Sequence, residues 1–195
     1  PKPRTDQNGS GMHLQLSLFR GEENAFADPT APNGISALAQ HYMAGLLRHA
    51  PEMMLVTNQW VNSYRRIVPG FEAPTHVGWS TRNHADLLRV PQPDPGRPDT
   101  ARIEYRVPDA AANPYLLFAA TLAAGLTGIE AAYTDAVNRL QGSARCPQNR
   151  WWIGKMQQQL TQSDRADPVN HIEGNERFLG GHACYKINYR AGNPD

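Results

Sequence analysis

The 195-residue chain is poor in several features, and each shortage limits what the protein can be. Its two cysteines, Cys146 and Cys184, lack a CxxC pair or a nearby ligand, which argues against a zinc site or a disulfide framework. No apolar run reaches the length of a membrane span, and no charged start leads into a signal sequence. We therefore expect a reducing cytoplasm and no membrane. The start at Pro1 instead of Met indicates processing, trimming or a fragment.

Net charge is equally scarce. The chain carries 19 Lys and Arg against 18 Asp and Glu, so it offers no strong field for nucleic acid, and we expect none as a partner. Arginine supplies sixteen of the positive charges, and its planar fork matches carboxylates and phosphates. This bias reflects either local anion sites or genome composition. The length allows one domain with a core, or a piece of a larger one.

Hydrophobic periodicity predicts a mixture of strands and helices. Alternation predicts a strand at 13–19, with His13, Gln15 and Ser17 on one face. Helical spacing predicts a helix at 35–49 that ends before Pro51. Further strands are predicted at 76–80, 87–90 and 102–107, with a loop at 92–98 and a second helix at 113–132.

The strand at 102–107 predicts a surface that binds ligands. Its alternate positions form a charged set and an apolar set: Arg102, Glu104 and Arg106 against Ile103, Tyr105 and Val107. His13 and Glu104 can meet across a sheet, and imidazole with carboxylate can hold Mg²⁺ or Mn²⁺ beside substrate phosphates. A single histidine on a strand is nevertheless more often structural, and alternating Arg and Glu usually form solvated cross-strand pairs.

Other residues add to a possible anion site. Four arginines can neutralise phosphoryl oxygens or clamp a carboxylate: Arg66, Arg89, Arg102 and Arg106. Glu72 lies in a Pro-Gly-Phe-Glu-Ala-Pro loop and can accept a proton from a nucleophile. The glycines of Asn8-Gly-Ser-Gly allow backbone to approach a ligand closely, although such a segment alone is only a flexible turn. Spacing by itself indicates a mixed domain with an anion site.

Contiguous motifs add a family resemblance over residues 1–133. They include Asn8-Gly-Ser-Gly-Met-His13, Asn62-Ser-Tyr-Arg-Arg-Ile-Val-Pro-Gly-Phe-Glu-Ala-Pro74, Arg89-Val-Pro91, Arg102-Ile-Glu104 and Asn113-Pro-Tyr115. In these the chain resembles the C-terminal half of the glutamine synthetase catalytic domain. Its wording is similar to actinobacterial glutamine synthetase-like paralogues, which include γ-glutamylpolyamine synthetases. The resemblance implies an α+β fold, a curved antiparallel sheet whose concave face carries the site and whose outer face carries helices.

The resemblance also implies an activity. Family members phosphorylate the γ-carboxylate of glutamate with ATP, and ammonia or another amine then displaces the phosphate. Mg²⁺ or Mn²⁺ is the implied cofactor, ATP is the co-substrate, and glutamate and ammonia or an amine are the other substrates. The implied assembly is a homo-oligomer, the dodecamer of stacked rings typical of the family.

Carried over position by position, the resemblance assigns roles to residues of this chain. His13 and Glu104 would hold the metal, and Asn8, Gly9, Arg66 and Arg106 would bind glutamate. Gln15, Ser17, His84 and Arg89 would contact the nucleotide. Glu72 would take the proton from the attacking amine, while Arg89 and Arg102 would stabilise phosphoryl charge.

Three departures leave alternatives open. Gln15 stands where the family has a second histidine, and His84 stands where it has a phosphate-binding arginine. Residues 134–195 match poorly, and we predict a divergent, poorly ordered tail after a catalytic-domain part at 1–133. The residues are those of a ligase whose isolated chain lacks half of the site and is inactive, or of a degenerate remnant that acts in binding or assembly. An unrelated anion-binding module is the third reading.

Overall fold

The computed structural model describes residues 1–133, so the predicted tail at 134–195 and both cysteines lie outside the described residues. The elements follow the chain in this order: β1 (Leu14–Leu16), β2 (Phe19–Arg20), β3 (Glu23–Asn24), α1 (Ala37–Thr57), α2 (Val61–Arg66), β4 (His76–Ser80), β5 (Asp86–Arg89), a 3₁₀ turn (Pro98–Thr100), β6 (Ile103–Tyr105) and α3 (Pro114–Glu130). The α+β class is confirmed.

Four strands form the sheet that carries the candidate site, in the spatial order β1-β6-β5-β4. Strand β6 pairs antiparallel with β1 on one side and with β5 on the other. The predicted antiparallel sheet holds for these three strands, whereas β4 joins β5 in parallel. A short turn explains this edge: Ser80 Oγ accepts from Asn83 N, and Asn83 Oδ1 accepts from Ala85 N, which folds the chain back beside β4.

The strand predicted at 13–19 is shorter than its pattern suggests. Strand β1 ends at Leu16, and β2 then forms a separate two-stranded hairpin with β3. The hairpin turn contains Gly21 at a φ of 62°, a conformation that favours glycine. Alternation alone could not predict this break, because Leu18 continues the apolar pattern of Leu14 and Leu16.

Helices α1 and α3 pack against each other and close the core. Side chains from α1, the sheet and α3 form one apolar cluster that includes Tyr42, Met43, Leu88, Tyr105 and Leu117. Caps define the helix starts: Ser36 accepts from Ala39 N, and Asn113 accepts from the N–H groups of the first turn of α3. None of the helices within residues 1–133 has the length and apolar character that a membrane span requires.

Helix α1 runs through Pro51, so its predicted end before this residue is wrong. Proline has no N–H for the carbonyl four residues earlier, and in a helix interior it costs about 3 kcal/mol. The last two turns nevertheless bury Met53, Met54 and Thr57. Burial of one such methionine contributes about 1.5–3 kcal/mol, which offsets the cost of the proline.

Candidate functional site

Glu104 lies in the middle of the sheet, where the predicted site residues meet. Its cross-strand partners are Gln15 on β1 and Arg89 on β5, and the alternation of strands directs these three side chains to one face. Ile103 and Tyr105, on either side of Glu104, are fully buried in the core. The predicted division of strand 102–107 into a charged face and an apolar back is confirmed.

Three basic side chains converge on the Glu104 carboxylate. His13 Nδ1 lies 3.1 Å from Oε1, and Arg106 Nη1 donates to the same oxygen over 3.1 Å. Arg89 Nε lies 2.5 Å from Oε2 as an ion pair, but neither atom makes an aligned hydrogen bond to a residue in 1–133. Burial raises the pKa of Glu104, yet the charges of Arg106 and Arg89 outweigh burial and keep this pKa below its usual range.

His13 lies just before β1 at the mouth of this cluster, with 31% of its side chain exposed. Burial, and then the charge of Arg106, lowers the pKa of His13, whereas Glu104 acts in the opposite direction. A lower pKa keeps the imidazole neutral near pH 7, the form in which a ring nitrogen can bind a metal. The geometry therefore brings together the two side chains predicted as metal ligands.

Gln15 and His84, the two departures from the family pattern, each contact an arginine. Arg102 Nε donates to Gln15 Oε1 over 3.0 Å. Arg89 Nη1 and His84 Nε2 lie 3.1 Å apart at the exposed end of the cluster. These two side chains thus orient Arg102 and Arg89.

Arg66 supports the strand end that carries Arg106. Its Nη1 donates to the carbonyls of Val107 and Pro108 over 2.9 and 3.2 Å, and its Nη2 donates to the carbonyl of Arg106 over 3.2 Å. Only 3% of Arg66 is exposed, and burial lowers its pKa while Asp109 acts in the opposite direction. Arg66 therefore holds main chain beside the site, and its role in binding glutamate stays a prediction.

Two glycines let the N-terminal loop pass close to these side chains. A Cβ on Gly11 would lie 2.5 Å from Arg66 Nη2 and 2.9 Å from His13 Nε2, and one on Gly9 would lie 3.1 Å from Arg66 Cγ. The close backbone approach predicted for this segment is therefore present towards the site residues. Asn8 is exposed, and the contact of Asn8 and Gly9 with glutamate stays a prediction.

The loop that carries Glu72 is attached at two neighbouring points. Lys2 Nζ lies 3.2 Å from the centre of the Phe71 ring, and Arg106 Nη2 donates to the Glu72 carbonyl oxygen over 3.4 Å. Lys2 is almost fully buried, and its main-chain N–H donates to Asn62 Oδ1. Glu72 itself is exposed, which leaves its carboxylate accessible above the cluster.

Ser17 lies further from the cluster than its predicted role suggests. Its hydroxyl donates to the Ala101 carbonyl over 3.0 Å and so ties the segment after β1 to the segment before β6. The lone pairs of the hydroxyl oxygen can still accept a hydrogen bond. Its contact with nucleotide stays a prediction.

The residues present fit a metal ion that is held partly by its substrate. Among residues 1–133, no group of three or more His, Cys, Asp and Glu side chains could hold a metal ion. Mg²⁺ is usually bound by one or two carboxylates together with waters and substrate phosphates. His13 and Glu104 meet that need, and Glu104 Oε2 keeps acceptor capacity because it lacks an aligned hydrogen bond.

Sequence reasoning missed a buried polar network behind the site. Asn58 Nδ2 donates to the Val107 carbonyl over 3.1 Å and lies 3.3 Å from Asp109 Oδ2, while Thr57 Oγ1 donates to Asn58 Oδ1 over 2.8 Å. Asp109 is fully buried. The network joins the end of α1 to the same strand end that Arg66 holds. A Thr-Asn pair directly after an apolar helix was the available signal.

Comparison with known proteins agrees with this arrangement. The family model described as "Glutamine synthetase, catalytic domain" matches residues 1–152, which is most of the chain. The chain belongs to the glutamine synthetase family. The match covers every residue predicted for the site, from Asn8 to Arg106.

Several curated glutamine synthetases are similar to this family member. The Mycolicibacterium smegmatis protein is 50% identical over 133 residues, which cover 68% of this chain and 30% of the relative. The Thermotoga maritima protein is 46% identical over 149 residues, 76% of this chain and 32% of the relative. The Clostridium saccharobutylicum protein aligns with 98% of this chain and 42% of its own length, at 40% identity. The predicted domain boundary at 133 stays a prediction.

A solved structure shares the fold. The electron cryomicroscopy structure of Plasmodium falciparum glutamine synthetase superposes with a TM-score of 0.64 at 33% sequence identity. The match covers 67% of this chain and 25% of that one. The chain thus spans about a third of the length of the glutamine synthetases that it matches.

Proposed function

We propose that this chain is the glutamate- and phosphoryl-binding part of an ATP-dependent glutamate–amine ligase. In that reaction a γ-carboxylate oxygen of glutamate attacks the γ-phosphorus of ATP and ADP leaves. The nitrogen of ammonia or another amine then attacks the acyl carbon, and phosphate leaves. The observation that carries the proposal is the convergence of His13, Arg89 and Arg106 on Glu104 in a member of the glutamine synthetase family.

The charge of the cluster supports anionic substrates. Arg66, Arg89, Arg102 and Arg106 surround a single buried carboxylate, Glu104, so positive charge is in excess. Guanidinium groups bind phosphate and carboxylate oxygens through paired N–H donors. Arg89 and Arg102 would stabilise charge on the transferring phosphoryl group, while Arg106 would bind glutamate, with Arg66 behind it, beside Asn8 and Gly9.

His13 and Glu104 would hold Mg²⁺ or Mn²⁺. When bound, the ion would neutralise phosphate charge and polarise a phosphoryl oxygen. Gln15, Ser17 and His84 lie along the same edge of the sheet and would contact the nucleotide. Their side chains are neutral hydrogen-bonding groups when His84 is unprotonated, so the arginines would supply the positive charge.

Glu72 would accept the proton that the attacking amine loses. Its exposure suits this role, because an acceptor must meet an amine that arrives from solvent. The loop contacts made by Phe71 and the Glu72 carbonyl keep the carboxylate near Arg106. The identity of the amine, ammonia or a larger one such as a polyamine, depends on residues around this loop.

We further propose that the isolated chain binds Mg²⁺–ATP without turning it over. The known relatives are about three times longer, and the described residues bring only two metal-ligating side chains together. The missing ligands would come from other polypeptide, and the active form would be a homo-oligomer.

A second candidate is a remnant that binds nucleotide without catalysis. Gln15 and His84 favour it, because both orient arginines where the family pattern has residues suited to phosphate binding. Such a protein would act in binding or assembly.

Complementation distinguishes the two candidates. The chain is co-expressed with the segment of the M. smegmatis relative that precedes its match, and phosphate release is measured with ATP, glutamate and ammonia or a polyamine. A ligase gives release that needs both glutamate and amine, and that Glu72→Gln abolishes while the exposed control Glu22→Gln does not. A pair that binds ATP but releases no phosphate supports the remnant.

A further inference from the structure

The core of the described domain is open along the outer edge of β1. Strand β1 is the last strand of the four-stranded sheet, and among residues 1–133 no strand pairs with its outer edge. An apolar groove of about 200 Å³ lies beside that edge, between β1 and α3. Leu14, Leu16 and Leu18 form one wall, and Phe118 and Leu122 form the other.

The edge strand has main-chain groups available for pairing. Met12 N donates to the Pro108 carbonyl, on the β6 side. Main-chain groups in a strand alternate between its two neighbours, so Gln15 N–H and C=O point to the open edge. An unpaired edge of this kind is a template for another strand.

The face of α3 next to the groove is apolar and exposed. Phe118 is 52% exposed and Leu122 is 47% exposed, and Tyr115 and Leu126 continue the same stripe. No charged residue occurs from 110 to 129. A helix that is apolar on nearly all sides is typical of a core position, so this face needs a cover.

We propose that this edge and groove are the docking site for a β-strand from glutamine synthetase-family polypeptide outside this chain. The strand would pair with β1 and insert alternate apolar side chains against Phe118 and Leu122, with its polar side chains beside Gln15. This mode combines main-chain hydrogen bonds with pockets for every second side chain.

The length comparison identifies the occupant. The match to this chain covers only 30% of the M. smegmatis relative and 25% of the P. falciparum structure. Relatives therefore carry a large amount of polypeptide that this chain does not, and an open core edge is where such polypeptide must join. The uncharged groove excludes a strand that presents charged side chains to it, since burying an unpaired charge is costly.

The test uses the full chain co-expressed with the tagged segment of the M. smegmatis relative that precedes its match. We expect a 1:1 complex by size-exclusion chromatography with light scattering. Leu122→Glu should weaken the complex by at least about tenfold, which is 1.4 kcal/mol. The matched control Ala123→Glu adds the same charge 100° further round α3, away from the groove, and should leave the complex unchanged.

Hydrogen exchange adds a readout that does not depend on a variant's folding. The Gln15 amide should exchange fast in the chain alone and become protected in the complex. Absence of a complex, or a complex equally weakened by Ala123→Glu, would overturn the proposal. A Gln15 amide already protected in the chain alone would assign the edge to residues 134–195 or to a second copy, and would also overturn it.

The docking site does not depend on the proposed reaction. It is scored without ATP, glutamate or amine. A complex that forms through Leu122 but releases no phosphate contradicts the ligase and leaves the docking site intact.

Discussion

Gly45 of α1 and Gly128 of α3 meet where the two helices cross, and a Cβ on Gly45 would lie 2.9 Å from Gly128 Cα. The missing side chains let the backbones approach closely, which places Tyr42 and Leu117 in the core on either side of the crossing. Neither glycine is needed for its backbone conformation, because both lie inside helices. Close packing is therefore the reason for glycine at both positions.

Gly45→Ala is expected to destabilise the chain by about 1–2 kcal/mol. Helix propensity alone would favour alanine by roughly 0.5–1 kcal/mol, but overpacking a close contact costs about 1–3 kcal/mol. Chemical denaturation followed by circular dichroism measures the change. Thr127→Ala, exposed on α3, serves as the control and should change stability by no more than about 0.5 kcal/mol. An equally stable or more stable Gly45→Ala variant would contradict the close approach.

Arg66→Lys is expected to destabilise the chain by about 1–3 kcal/mol. Lysine cannot reproduce the planar fork that donates to three main-chain carbonyls, and buried carbonyls left without a donor are costly. The neighbouring Arg65→Lys is the matched control, since Arg65 is exposed. Urea denaturation of both variants gives the comparison, and equal losses for the two would sink the prediction.

Glu104→Gln is expected to destabilise the metal-free chain at pH 7 by about 2–3 kcal/mol, because it leaves Arg106 and Arg89 without their counter-charge. The pKa of Glu104 is lowered in the folded state. Its contribution is therefore present above the ordinary glutamate pKa of about 4.3 and is lost as the pH falls below that value.

The stability difference between wild type and Glu104→Gln should consequently shrink as the pH falls from 7 to 4. Denaturation in EDTA at several pH values measures it. Glu22→Gln, in the exposed hairpin turn, should show no such pH dependence. A difference that stays constant with pH would mean that the Glu104 charge does not stabilise the fold.

Mn²⁺ is expected to raise the melting temperature of the chain appreciably only when ATP is present. Two protein ligands bind an ion weakly, whereas phosphate oxygens complete its coordination. Binding to the folded state alone stabilises in proportion to ligand occupancy. Thermal shift with Mn²⁺, with ATP and with both checks this, EDTA should reverse the effect, and His13→Ala should abolish it. A full shift from Mn²⁺ alone would require further ligands.

Much of the sheet could be predicted from the sequence, because its chemistry has a period of two. Arg102, Glu104 and Arg106 alternate with Ile103 and Tyr105, and this alternation fixes which side faces the core. The meeting of His13 and Glu104 followed from the same reasoning. Local patterns suffice where burial on one face determines the strand.

The remaining features depend on contacts that no local pattern contains. Pro51 stays inside α1 because Met53 and Met54 are buried beyond it, and the sequence does not say what they pack against. Arg66 was expected to face a substrate, yet its donors reach carbonyls some 40 residues away along the chain. The parallel pairing of β4 likewise depends on a turn held by Ser80 and Asn83.

The anchoring of the Phe71–Glu72 segment sets a timescale. With the Phe71 ring under Lys2 and the Glu72 carbonyl held by Arg106, the main chain at this point stays in place while the carboxylate rotates about its own side-chain bonds. Rotamer changes of exposed side chains take picoseconds to nanoseconds, whereas loop displacements take nanoseconds to microseconds. Glu72 can therefore reorient far faster than any lid could open or close.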